Sequence, residues 1–227
     1  MVGTIIIYAI LLSLVSQTIN AQSPLKFMGR EVTIIAPGRD ADDVSSPRGP
    51  VSICLEGPPQ RQCYTAPQEF GNSPEVTVVQ PKKDLPALLF SAASGGVTGW
   101  GIHFALLRPG TGKDLQDFFG SDMTVSDQSQ HAFWRDLLIS DAQIFVTADY
   151  VWGPDEAHSG EHRYIISAYV NVHRPPSLVD DLYYYLEDRY MTARKYDLDA
   201  KADVLASEKS EILARLRRLS PHQRAPR

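Results

Sequence analysis

Short apolar runs separated by turn residues dominate the chain from Glu75 onward. They fall at Glu75–Gln80, Ala87–Ala93, Gly101–Leu107, Gln143–Ala148 and Tyr164–Val172. They are rich in Val, Ile, Phe and Tyr, whose branched or flat side chains suit a pleated, half-buried surface. The pattern predicts strands. Further candidates are Glu31–Ala36, where Val32, Ile34 and Ile35 are apolar, and Arg189–Lys195. Residues 37–50 hold Gly38, Asp40, Asp42, Asp43, Ser45, Ser46, Pro47 and Gly49, which is loop chemistry, so the compact domain is expected to begin near Val51. The period changes at the end of the chain. Val204, Leu205, Ile212, Leu213, Leu216 and Leu219 recur at helical spacing, with Lys201, Glu208, Lys209, Glu211, Arg215 and Arg218 on the other face. An amphipathic helix is predicted over 200–219, stopped by Pro221.

Two segments are alike. Asp84–Ala92 resembles Ser140–Ala148, and each leads through a Gly-containing loop to a second apolar strand, His103–Leu107 or Tyr164–Val170. Two such hairpins packed face to face, with a third hairpin around the cysteines, give a sandwich or partial barrel. The expected fold is mainly β, sandwich-like or blade-like, with antiparallel hairpins and one C-terminal amphipathic helix.

The strand–glycine loop–strand pattern of Leu88–Leu107 and Ile144–Val170 resembles the blade units of integrin-type (FG-GAP/VCBS) propellers. The likeness covers about a third of the chain, and the calcium loop of alternating Asp and Gly is missing from both copies. The whole chain also resembles a group of secreted bacterial proteins, which implies export and no assigned activity.

Charge and cysteines narrow the classes. The formal net charge of -5 argues against a nucleic-acid binder. Arg215, Arg217, Arg218, Arg224 and Arg227 follow Glu211 with no further acid, either as a solvated helix end and tail or as a contact for anionic lipid or polymer. Ile5 to Val15 is apolar but for Tyr8 and Ser13, too short for the roughly 20 residues of a membrane span. It reads as a signal peptide over 1–21, with an uncleaved anchor or a buried strand as the alternatives. Export is therefore expected, to the periplasm or the medium, with no stable membrane span after cleavage. Cys54 and Cys63 flank Gly57-Pro58-Pro59, so a disulfide would staple a hairpin between Val51–Ile53 and Cys63–Thr65; two buried free thiols are the alternative. The divisions are then 1–21, a strand and linker over 22–50, a β domain over 51–198, the helix over 199–219, and a basic tail over 220–227.

The sharpest chemical motif is His158-Ser159-Gly160-Glu161-His162, an H-x-x-E-H spacing. Inverted zinc proteases use that spacing on a helix, with two histidines on one face and the glutamate as base. Here Gly160 interrupts it and a strand-like run follows at Tyr164, so a polar loop is the plainer reading. Such a loop could hold a metal ion through Asp155, Glu156, His158, Glu161 and His162. Asp197, Asp199, Lys201, Asp203 and Glu208 fall at calcium-loop spacing, but Lys201 places a cation where an oxygen is needed. Gly110-Thr111-Gly112-Lys113 resembles a phosphate loop but reads as a turn. Ser91, His103 and Asp114 combine into a triad only on paper. Trp100, Trp134, Tyr150 and Trp152 lie in or beside predicted loops, where flat aromatic faces bind glycans or peptides; Trp100, Tyr150 and Trp152 are the ligand-binding candidates.

The expected role is an exported, non-catalytic binding or structural module, with no cofactor and with a protein or cell-envelope polymer as partner. The alternative is a secreted metal-dependent hydrolase centred on His158, Glu161 and His162.

Overall fold

The computed structural model describes residues 24–38, 49–95, 101–119, 123–153, 160–171, 182–197 and 200–219. The proposed signal segment, Trp100, Asp155, Glu156, His158 and the basic tail lie outside them. In chain order the strands are β1 (Lys26–Phe27), β2 (Arg30–Ile35), β3 (Ser52–Leu55), β4 (Gln62–Thr65), β5 (Phe70–Lys82), β6 (Leu85–Ser94) and β7 (Gly101–Pro109). They continue with β8 (Leu115–Asp117), β9 (Met123–Ser126), β10 (Gln130–Trp134), β11 (Ile144–Val151), β12 (Glu161–Asn171), β13 (Tyr184–Met191) and β14 (Tyr196–Asp197). Among the described residues one helix, α1 (Val204–Leu219), closes the order.

The strands form three antiparallel sheets. The first has the order β1-β2-β3-β4, the second β5-β6-β7-β8 with β9 beside β7, and the third β10-β11-β12-β13 with β14 beside β12. Among the described residues no sheet closes into a barrel. The fold is thus mainly β with one C-terminal helix.

The strands that read as continuous apolar runs, β6, β7, β11 and β12, are the central strands of the two larger sheets and are buried on both faces. Side chains alternate across a strand, so each sheet can serve two cores. Leu88, Phe90 and Ala92 of β6, with Ala105 and Leu107 of β7, pack against Ile53 and Leu55 of the first sheet. The intervening Ala87, Leu89, Phe104 and Leu106 face the third sheet and meet Phe145 and Tyr184. On β11 the parity splits again: Phe145 joins that middle core, while Ile144, Val146 and Ala148 join Ile166 and Ala168 beneath α1. The described residues are therefore layered as sheet, sheet, sheet, helix, with three cores between four layers.

The two look-alike hairpins, β6–β7 and β11–β12, do pack face to face across the middle core. Main-chain bonds tie the layers at their margins. Gln143 N–H donates to Pro81 O at 2.6 Å, and Tyr184 N–H donates to Phe118 O at 2.9 Å.

Three elements depart from the expected bounds. Residues 26–35, expected ahead of the compact domain, pair with it: Val32 lies opposite Leu55 and Ile34 opposite Ile53. The strand expected over 189–195 begins at Tyr184, because Tyr184, Tyr185 and Leu186 pair with Asn171, Val170 and Tyr169 before a register shift. The helix starts at Val204, not at 200. Lys201 has a left-handed φ of 49°, and Asp203 Oδ1 accepts the Ala206 amide at 2.8 Å as its N-cap.

Candidate functional site

The exposed end of the β11–β12 hairpin carries two of the aromatic candidates. Tyr150 lies opposite Tyr164, and Val151 opposite Arg163, in antiparallel register. Trp152 follows at the strand end and keeps 41% of its surface exposed. Its ring stacks on His162 at a centroid distance of 6.1 Å and lies 6.0 Å from Tyr150. Tyr150 meets His162 edge-on at 5.6 Å. His162 itself is fully buried, so the indole rests on a fixed base while part of it reaches solvent.

The opposite face of the hairpin end forms a groove of about 240 Å³ lined by Val151, Gly153, Arg163, Met191 and Lys195. Met191 lies across from Ile165 and is 49% exposed. Two cations thus border an apolar surface.

The metal candidates are arranged differently from a helical zinc site. Glu161 and His162 are consecutive on β12, which sends their side chains to opposite faces: Glu161 is exposed and His162 buried. Their cross-strand partners are Asp197 and Tyr196. Among the described residues no group of three or more His, Cys, Asp or Glu is placed to hold a metal ion. The acids at calcium-loop spacing have structural work instead. Asp203 caps α1, Asp197 Oδ1 accepts the Ala200 amide at 3.3 Å, and Glu208 accepts the hydroxyls of Tyr190 (3.0 Å) and Tyr196. Asp199 lies outside the described residues. Trp134 is on strand β10 and takes the Lys209 ammonium over its ring at 5.1 Å.

The triad on paper does not assemble. Ser91 lies opposite Phe104, and His103 opposite Ala92, so Ser91 and His103 project from opposite faces of the second sheet. His103 is buried, its Nε2 2.7 Å from the Tyr64 hydroxyl.

Cys54 and Cys63 form a disulfide across β3 and β4, with Cα atoms 4.1 Å apart. The turn between them, 57–61, is gripped by a residue that sequence reasoning missed. Arg30 donates through Nε to Glu56 O (3.3 Å), through Nη1 to Gln62 Oε1 (2.7 Å), and through Nη2 to Leu55 O (2.7 Å) and Gln60 O (2.5 Å). Gln62, 4% exposed, donates onward through Nε2 to Gly110 O (2.9 Å) and Gly112 O (2.8 Å). The Gly110–Lys113 turn therefore offers its carbonyls to the hairpin, and Lys113 O accepts the Cys63 amide at 3.2 Å. An arginine one residue past a Met-Gly turn gives no local sign of contacts so far along the chain.

No family model, curated protein or solved structure matches the chain.

Proposed function

We propose that the protein is an exported, non-catalytic binding module that holds an anionic polymer of the cell envelope at the end of the β11–β12 hairpin. The observation that carries this reading is the half-exposed Trp152, braced by Tyr150 and the buried His162. A rigid aromatic face loses little freedom on binding, which is why such residues anchor ligands. Arg163 and Lys195 beside Met191 supply charge of the sign an anionic chain needs. Export is supported by the Cys54–Cys63 disulfide, which persists in oxidising compartments. It is compatible with the described residues, none of whose helices is long and apolar enough to cross a membrane.

The test is co-sedimentation of the chain, residues 22–227, with purified insoluble cell-wall polymer. Trp152→Ala and Arg163→Glu are each expected to weaken retention by about tenfold, or ~1.4 kcal/mol. Unchanged retention in both variants would overturn the assignment of the site. Retention only of protein fractions would make the partner a protein. Stoichiometric zinc that is lost in His158→Ala/His162→Ala would favour the hydrolase instead.

A further inference from the structure

Three turns from two sheets meet around the tip of the disulfide hairpin and border an open pocket of about 370 Å³. It is lined by the apolar Met28, Pro58, Pro59 and Pro109 and by the polar Arg30, Gln60 and Gln62. That volume is within the range of small-molecule sites.

The lining is unusual in its charge. All four oxygens that accept from Arg30 are neutral: three main-chain carbonyls and the Gln62 amide oxygen. Among the described residues no carboxylate pairs with it, and the nearby Glu56 carboxylate is engaged by Arg61 at 3.0 Å. A partly buried guanidinium thus keeps a full positive charge that dipoles orient but do not neutralise. Its position is held in advance, since Gln62 and Gln60 are themselves fixed to the Gly112 carbonyl at 2.8 and 2.9 Å. One of its five N–H groups remains to donate.

We propose that this pocket binds a small organic carboxylate with an apolar body. The carboxylate lies toward Arg30, whose charge and one uncommitted N–H suit that anion, and the body lies against the three prolines and Met28. The site is separate from the β11–β12 hairpin end and stands independently of the function proposed there.

The experiment titrates the full chain with phenylacetate, with uncharged phenylacetamide and with inorganic phosphate, following backbone amide resonances. Phenylacetate is expected to give saturable shifts confined to residues 28–30, 60–62 and 110–112. Phenylacetamide and phosphate are each expected to bind about tenfold more weakly, having lost the charge or the apolar body. Arg30→Met would loosen the hairpin, so the decisive variants are at Met28, which is 58% exposed on the rim. Met28→Glu is expected to weaken phenylacetate by about tenfold, and Met28→Lys to retain or strengthen it. No saturable shift up to about 10 mM, well past ordinary weak binding, would overturn the proposal. So would equal binding of the amide or of phosphate, or indifference to Met28→Glu.

Discussion

Gln130 and Val204 lie 74 residues apart in sequence, yet the Gln130 side-chain oxygen accepts the Val204 amide at 2.9 Å. The same oxygen accepts the Leu205 amide at 3.2 Å, and the Gln130 amide nitrogen donates to Ala202 O at 2.7 Å. A residue of edge strand β10 thus serves the first amides of α1, which have no partner within the helix. Asp203 serves the Ala206 amide from the other side. The helix is registered on the third sheet by polar bonds at its start, as well as by Ile212 and Leu216 beneath its length.

Gln130→Ala removes an acceptor from two helix amides, so stability should fall by about 1–2 kcal/mol. Gln130→Glu keeps the acceptor and loses only the bond to Ala202 O, so its loss should be smaller. Urea denaturation followed by circular dichroism orders the two. Equal losses would mean that the amide donor, not the cap, is what the helix needs.

The disulfide closes a short loop, with the cysteines nine positions apart. Chain entropy makes that worth roughly 2.5–3 kcal/mol. Reduction, or Cys54→Ala/Cys63→Ala, should lower the urea midpoint accordingly without changing the slope. Retention of the full midpoint under reductant would mean that Arg30 and Gln62 already hold the turn unaided.

Phe145 is the hinge of the middle core. Its ring contacts Phe119 and Phe133, each at 4.9 Å, and Phe104 and Tyr169 near 6.1 Å. It is fully buried. Phe145→Ala should cost about 3–5 kcal/mol. Val78→Ala, at a position 46% exposed on β5, should change stability by less than about 0.5–1 kcal/mol. Thermal melts of both variants provide the comparison.

Tyr184 is fully buried and donates its hydroxyl to Gln143 O at 2.6 Å. Burial, with a smaller push from Asp141, raises its pKa well above the ordinary 10.0. The folded state therefore holds a proton that the unfolded chain releases near pH 10. Its contribution to stability is complete below that pH and is lost as pH rises above it. Tyr184→Phe should start less stable at neutral pH and show a shallower alkaline decline. Ultraviolet titration should show Tyr184 ionising only with unfolding; early ionisation in the native state would refute the assignment.

Some of the candidate site was open to reading from the chain itself. Tyr150 and Trp152 stood beside a loop at the end of an apolar run, and the hairpin end does expose the indole. Cys54 and Cys63 flanked turn residues, and they are bonded. Glu161 and His162 looked like neighbours in one site because a spacing motif presumes a helix. On a strand, adjacent residues point apart. Strand β10 was missed because Gln130 and His131 break its apolar pattern, and both are explained by partners from other layers: α1 for Gln130, and Phe104 at 4.7 Å for His131.

The sequence by itself determined the strand-rich class, the terminal helix and the hairpin around the cysteines. Those features follow from local periodicity, turn chemistry and spacing, which act over a few residues. Only the tertiary structure decided that successive residues of β6, β7 and β11 serve different cores. A run such as Ala87-Leu88-Leu89-Phe90 is apolar at every position and carries no record of which face meets which sheet. The same holds for Arg30. Its value as a grip on the hairpin, and its placement beside a pocket, arise from oxygens 25 to 32 residues away that chain folding alone brings within reach.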